Sequence, residues 1–105
     1  MADPARHESW WVEVEDRSPR PYLILTRDQA IPVLHRVVAA PITRTVRGIP
    51  TEVAVGVAEG LAAEGVASFD NLETIPKAAF TRRLGRLKPI RAHEVCEALR
   101  NVADC

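Results

Sequence analysis

The chain reads as a succession of short apolar segments separated by turn signals, with a change of period near its end. Trp10-Trp11-Val12-Glu13-Val14-Glu15 alternates from Trp10 onward and is rich in strand formers, which predicts a strand. Asp16-Arg17-Ser18-Pro19 is a turn cluster. Tyr22-Leu23-Ile24-Leu25 is an unbroken apolar run, the pattern of a buried strand. Thr26-Arg27-Asp28 opens a short helix or turn through about Leu34, its length limited by Pro32. Val37-Val38-Ala39-Ala40-Pro41-Ile42 predicts the next strand, and Pro41 marks an edge or bulge near its end. Arg47-Gly48-Ile49-Pro50 is a loop or turn. Thr51 to Val55 alternates again, and Val66 to Phe69 is a strand closed by the turn signal Asp70-Asn71. Leu72 to Ile75 is extended up to Pro76, and Arg83 to Leu87 is a further short strand. The connection from Gly60 to Gly65 carries no clear signal.

From Pro89 the period lengthens. Val95, Leu99 and Val102 follow helical spacing, with Ala92 and Cys96 beside them and Glu94, Glu97, Arg100 and Asp104 on the other side. Proline suits the first turn of such a helix. About five to seven strands with one terminal amphipathic helix describe a mainly β fold, a small and strongly bent sheet or partial barrel.

Composition adds bounds. The 105 residues make one domain's worth of chain, 47% hydrophobic and 27% charged, which is ordinary for a globular protein. No apolar run approaches the roughly 20 residues of a membrane span. The first eight residues lack the apolar core of a signal peptide, so a cytoplasmic protein without a membrane is expected. Cys96 and Cys105 make neither a disulfide framework nor a zinc pattern.

Charge is the more informative feature. The formal net charge is zero, but its distribution is uneven. Residues 17–47 carry six arginines and one acid, residues 48–75 carry five acids and no base, and residues 76–91 carry six bases and no acid. Twelve of the fourteen bases are arginine, whose planar fork suits phosphate. On charge alone, the two basic blocks folding into one face and the two lying apart as solvated surface are equally open.

Among chemical constellations, a metal site and Cys–His catalysis lack support. His7, His35 and His93 are far apart, and Cys96 falls on the apolar side of the helix, where a thiol acts as a small buried hydrophobe. There is no glycine-rich phosphate loop. What remains is polar residues at strand ends. Arg20-Pro21 precedes the most apolar strand, and Thr43-Arg44-Thr45 follows the next one. Neighbouring strands would bring Arg20 beside Thr43, and a guanidinium with a hydroxyl forms a phosphate clamp. On chemistry alone the plainer roles, a surface ion pair for Arg20 and a turn hydrogen bond for Thr43, carry more weight.

The residues quoted so far also carry a likeness. Trp10 to Val14, Arg20 to Asp28, Val37 to Thr43, Arg47 to Val53, Asp70 to Pro76 and Arg83 to Leu87 resemble, in order, the MazF/PemK family of toxin endoribonucleases. The resemblance implies one toxin domain over 1–105, built as an SH3-like barrel with short helices and forming a homodimer. It implies cleavage of single-stranded RNA without a metal or cofactor, through attack of the RNA's own 2′-hydroxyl. It implies a cognate acidic antitoxin whose flexible segment silences the enzyme. The family's catalytic arginine falls on Arg20 and its catalytic threonine or serine on Thr43. Arg17, Arg44, Thr45 and Arg47 would contact RNA, and Glu15 and Asp16 are the nearest acids for a general base. A toxin of the same fold that binds a protein target such as DNA gyrase is the alternative.

Two departures from the family pattern stand out. The usual Arg-Gly-Glu before the first strand reads Arg6-His7-Glu8 here, so that turn is expected to differ. The loop between the first two strands is short, about Asp16 to Pro19, which puts a base borrowed from it in doubt.

Overall fold

The computed structural model describes residues 3–103. Asp104, placed above on the polar side of the helix, and Cys105 lie outside them. Seven strands form one curled, half-barrel sheet: β1 (Glu8–Val12), β2 (Arg20–Ile24), β3 (Arg36–Thr43), β4 (Glu52–Val55), β5 (Gly65–Ser68), β6 (Glu73–Pro76) and β7 (Phe80–Arg86). The helix α1 (Ala92–Val102) follows a 3-10 turn at Pro89–Arg91. The order across the sheet is β4-β5-β3-β2-β1-β7, and β6 also pairs with β3. The expected mainly β architecture with a C-terminal helix is therefore the observed one.

β3 is the hinge of the sheet. Its first half pairs with β2 on one edge and β6 on the other, since Ala39 meets both Ile24 and Glu73. Its last residues, Ile42 and Thr43, pair with β5 instead. The central strands are buried on both sides, which explains their unbroken apolar runs. Leu23, Ala40 and Ile42 face one core with Val53, Val55, Phe69 and the helix residues Val95 and Ala98. Tyr22, Ile24, Val37 and Ala39 face a second core with Trp10, Ile31, Ile75 and Phe80. The rings of Trp10 and Phe80 meet edge to face, their centroids 6.4 Å apart.

Several boundaries differ from the sequence expectation. β1 ends at Val12 rather than Glu15, because its ladder with β7 ends at the Val12–Phe80 pair and the chain then turns through Asp16 at φ +65°. The segment 26–34 contains only a short 3-10 turn at Ile31–Val33. β6 includes Pro76, which sits opposite Arg36 at the strand's end. In α1, Cys96 is exposed and Val102 is 38% exposed, while Ala98 is buried beside Val95. The short helix docks through one turn, so its contact stripe is narrower than its apolar positions.

Two backbone conformations shape the sheet ends. His7 adopts φ +69°, the left-handed conformation that glycine favours, so the turn expected to differ keeps the geometry of a glycine turn. Gly60, at φ +88°, crosses against Leu84 and Gly85 so closely that a Cβ at either glycine would strike backbone. This crossing is pinned by Ser9, whose buried hydroxyl donates to the Glu59 carbonyl at 2.6 Å.

Candidate active site

The β2–β3 ladder runs Ile24–Ala39, Leu23–Ala40, Tyr22–Pro41 and stops. Prolines at Pro21 and Pro41 remove two N–H donors at this end, and β3 turns away to pair with β5. The strands open there. Continuing the same register by two residues sets Arg20 opposite Thr43. Both line a hollow of about 310 Å³ with Pro41, Thr45, Arg47, Ser68, Asn71 and Glu73.

Each predicted residue has a definite place. Arg20 is exposed at the start of β2. Among the described residues no carboxylate oxygen lies within 4 Å of the guanidinium nitrogens of Arg20, Arg44 or Arg47. The Thr43 hydroxyl oxygen accepts from the Thr45 N–H at 3.1 Å, a turn hydrogen bond that leaves its O–H free to donate. Thr45 and Arg47 share the hollow with Arg20 and Thr43. The loop carrying them is anchored by Glu52, whose carboxylate accepts from the N–H groups of Arg47 and Gly48 at 3.1 and 2.9 Å. Arg44 faces an adjoining, more apolar hollow of about 370 Å³ that Thr43 also lines, walled by Trp11, Ile42, Leu61 and Leu84, where Arg82 of the second basic block joins it. Arg17 is not free: it donates to Glu73 Oε1 at 2.6 Å. Glu15 and Asp16 are exposed in the β1–β2 loop and are absent from the walls of the Arg20–Thr43 hollow.

Sequence reasoning missed Glu73 and the Tyr22 hydroxyl. Tyr22 Oη donates to Glu73 Oε2 at 2.7 Å, so Arg17 and Tyr22 hold the two oxygens of one carboxylate. Partial burial raises the Glu73 carboxyl, but the hydrogen bonds from Arg17 and Tyr22, with the charges of Arg17 and Arg20, outweigh it and keep it below the ordinary carboxylate value. Burial, reinforced by the hydrogen bond to Glu73 and its charge, pushes the Tyr22 phenol up to about 12. No local pattern marks Glu73, because its partners lie 51 and 56 residues away.

The arrangement offers phosphate a guanidinium with several donors and a hydroxyl facing it across an open strand end. Among the described residues no three His, Cys, Asp or Glu side chains gather as a metal-binding group, and no helix is long and apolar enough to cross a membrane.

Comparison with known proteins bears on this site. The chain is 39% identical over 103 residues to the probable endoribonuclease MazF5 of Mycobacterium tuberculosis, covering 97% of this chain and 94% of that protein. It is 45% identical over 85 residues to the endoribonuclease MazF3 of the same organism, covering 81% and 82%. Among solved structures, the M. tuberculosis toxin MazF-mt6 superposes with a TM-score of 0.85 at 39% identity, over 92% of this chain and 96% of that one. A mycobacterial endoribonuclease in complex with its cognate antitoxin does so with a TM-score of 0.82 at 29% identity, over 94% and 93%. The family model described as PemK-like, MazF-like toxin of type II toxin–antitoxin system matches residues 5–103, and the chain belongs to that family.

Proposed function

We propose that this chain is the toxin of a toxin–antitoxin pair, an endoribonuclease that cuts single-stranded RNA without a metal and inhibits translation and growth. The observation that carries the reading is that Arg20 and Thr43 line one hollow at the open end of β2 and β3, in a chain whose relatives are named endoribonucleases.

The chemistry follows from these groups. The Arg20 guanidinium gives parallel hydrogen bonds to the non-bridging phosphate oxygens, and the Thr43 O–H adds a further donor. Both act on charge that builds as phosphorus becomes pentacoordinate. The 2′-oxygen attacks in line as its proton passes to water, the bond to the 5′-oxygen breaks as that oxygen takes a proton from water, and the products carry a 2′,3′-cyclic phosphate and a 5′-hydroxyl. A guanidinium keeps its charge in proteins, so Arg20 acts through electrostatics rather than as a proton donor. DNA lacks the 2′-hydroxyl and does not react. Arg47 and Thr45 extend the phosphate contacts within the same hollow, and Arg44 and Arg82 extend them outward.

A toxin that acts by gripping a protein such as DNA gyrase has no use for a phosphate clamp, and the relatives' names do not favour it. The unpaired arginines also suit an acidic, flexible antitoxin segment that folds as it binds. A solved relative is titled as a complex with its cognate antitoxin, and we assign this chain such a partner. We further assign it to the cytoplasm and to a symmetric homodimer, which sedimentation at micromolar concentration tests.

The deciding experiment incubates the purified protein with a mixed RNA pool in excess EDTA and maps the cut ends. Cyclic-phosphate and 5′-hydroxyl ends are expected. Uncut RNA, or 3′-hydroxyl ends that appear only with added divalent metal, would overturn the reading.

A further inference from the structure

Among the described residues, Glu73 is the carboxylate lining both hollows that meet at Arg20: the one shared with Thr43, and an adjoining one of about 340 Å³. A cleft that holds phosphates has an electrostatic reason to exclude carboxylates, since like charges repel. Here a carboxylate is instead built in. β6 fixes its backbone against Ala39, Arg17 holds Oε1 at 2.6 Å, and Tyr22 holds Oε2 at 2.7 Å.

An ionised carboxylate has about two acceptor positions on each oxygen. One donor on each leaves acceptor capacity on both, and the Glu73 side chain remains 30% exposed. The adjoining hollow supplies an apolar wall from Val12 and Val14. Apolar surface for a ring with one fixed polar group to orient it is the make-up of a small-ligand pocket. Arg20 lines both hollows, so a phosphate held at Arg20 and Thr43 places the neighbouring nucleotide's base within reach of the second. The donors that fix the carboxylate also keep its pKa low, which makes it a charged acceptor at neutral pH and a weak proton acceptor.

We propose that Glu73 is a specificity-determining residue, selecting in the nucleotide beside the scissile phosphate a base with an exocyclic amino group over uracil. Single-stranded RNA exposes its Watson–Crick edges to such readout. Guanine presents adjacent N–H groups that meet both carboxylate oxygens, and cytosine and adenine present one amino group each. Uracil presents two carbonyl oxygens around a single N–H, so acceptor faces acceptor. The inference rests on the ribonuclease reading above.

The test sequences cut sites from a random RNA pool for the wild-type protein, Glu73→Gln and Arg17→Ala. At one position flanking the cut, the wild type is expected to disfavour uracil by about tenfold or more. Glu73→Gln, whose amide both donates and accepts, is expected to admit uracil at that position and leave other positions unchanged. Arg17→Ala keeps the carboxylate but removes one of its two tethers, so it is expected to relax the discrimination against uracil only partly. A second measurement needs no variant. In a defined substrate with guanosine at the selected position, inosine, which lacks the amino group, is expected to cut about tenfold more slowly. If RNA is cut but uracil is tolerated equally at both flanking positions, or Glu73→Gln leaves the preference intact, the assignment is overturned and the ribonuclease reading stands. If the wild type cuts no RNA, both fall.

Discussion

In the basic stretch from Arg17 to Arg47, the guanidiniums of Arg20, Arg44 and Arg47 have no carboxylate within 4 Å among the described residues, whereas in the stretch from Lys77 to Arg91, three bases each meet at least one. Lys77 pairs with Asp3 at 3.3 Å and Arg83 with Glu8 at 2.6 Å. Arg91 forms two 2.7 Å hydrogen bonds to Glu94, approaches the buried Glu59 at 3.5 Å and donates to the Ala54 carbonyl. Two blocks of similar composition thus do different things. In the first, guanidiniums are left without a carboxylate at an open strand end, where the proposed function places RNA. In the second, half are spent on joining the N-terminus, β7 and α1 to the rest of the sheet. Of the other three, Arg82, Arg86 and Lys88, it is Arg82 that reaches the hollow lined by Arg44. The difference teaches that the same run of arginines is left available or tied down according to which guanidiniums the fold sets beside carboxylates.

The largest effect that tests this contrast is on cleavage. Arg20→Ala and Thr43→Ala are each expected to slow RNA cleavage by roughly 100- to 1000-fold, the loss of about 2.7–4 kcal/mol of transition-state stabilisation. Circular dichroism should not change, because neither side chain is buried. Full activity in both variants breaks the comparison.

Arg91→Ala reverses the pattern. It leaves the Glu59 carboxylate, which is 4% exposed, without its cationic neighbour and frees the Ala54 carbonyl. A stability loss of about 1–3 kcal/mol is expected, read as a shift in urea midpoint, with the cleavage rate per folded molecule unchanged. Arg83→Ala, at an exposed pair, should cost no more than about 1 kcal/mol and leave cleavage intact. Cleavage lost in Arg83→Ala to the degree seen in Arg20→Ala would erase the distinction between the two blocks.

Salt sharpens the comparison further. Arg47→Ala is expected to weaken RNA binding across sequences and reduce the slope of log K against log salt by about 0.7, the single-strand value per phosphate contact. Arg83→Ala should leave that slope unchanged.

The smallest effect is the pH dependence of the paired region. Burial raises the Glu8 carboxyl, but hydrogen bonds from Trp10 and Arg83 and from the Ala5 N–H outweigh it and lower its pKa. The hydrogen bonds from Arg91 lower that of Glu94. A carboxyl lowered on folding adds stability that is complete above its unfolded pKa and is lost as pH falls through the folded one. Stability is therefore expected to decline as pH drops below about 4.5. Urea midpoints measured between neutral and acid pH check this, and Glu8→Gln should flatten part of the decline.

The apolar pattern made most of the sheet legible. The run Tyr22 to Leu25 and the run Val37 to Ile42 are continuous because both faces of β2 and β3 are covered, and a side-chain period of two carries that information locally. The helix was legible in its span but not in its docking. Cys96 and Ala98 are both small and apolar, and only the angle at which α1 meets Val53 and Phe69 decides that one faces solvent and the other the core.

The sequence by itself determined the strand-rich pattern, the uneven charge, and the arginine and threonine at the ends of two adjacent apolar strands, all properties of residues close together along the chain. Tertiary structure alone decided that β2 and β3 pair in a register that brings Arg20 and Thr43 to the walls of one hollow. It also decided that prolines open the ladder there, that Glu73 joins Arg17 and Tyr22, and that the second basic block meets Glu8, Glu59 and Glu94. The reason is physical: which arginine is neutralised depends on a few ångströms between residues as many as 75 positions apart, and no periodicity in the chain encodes that distance.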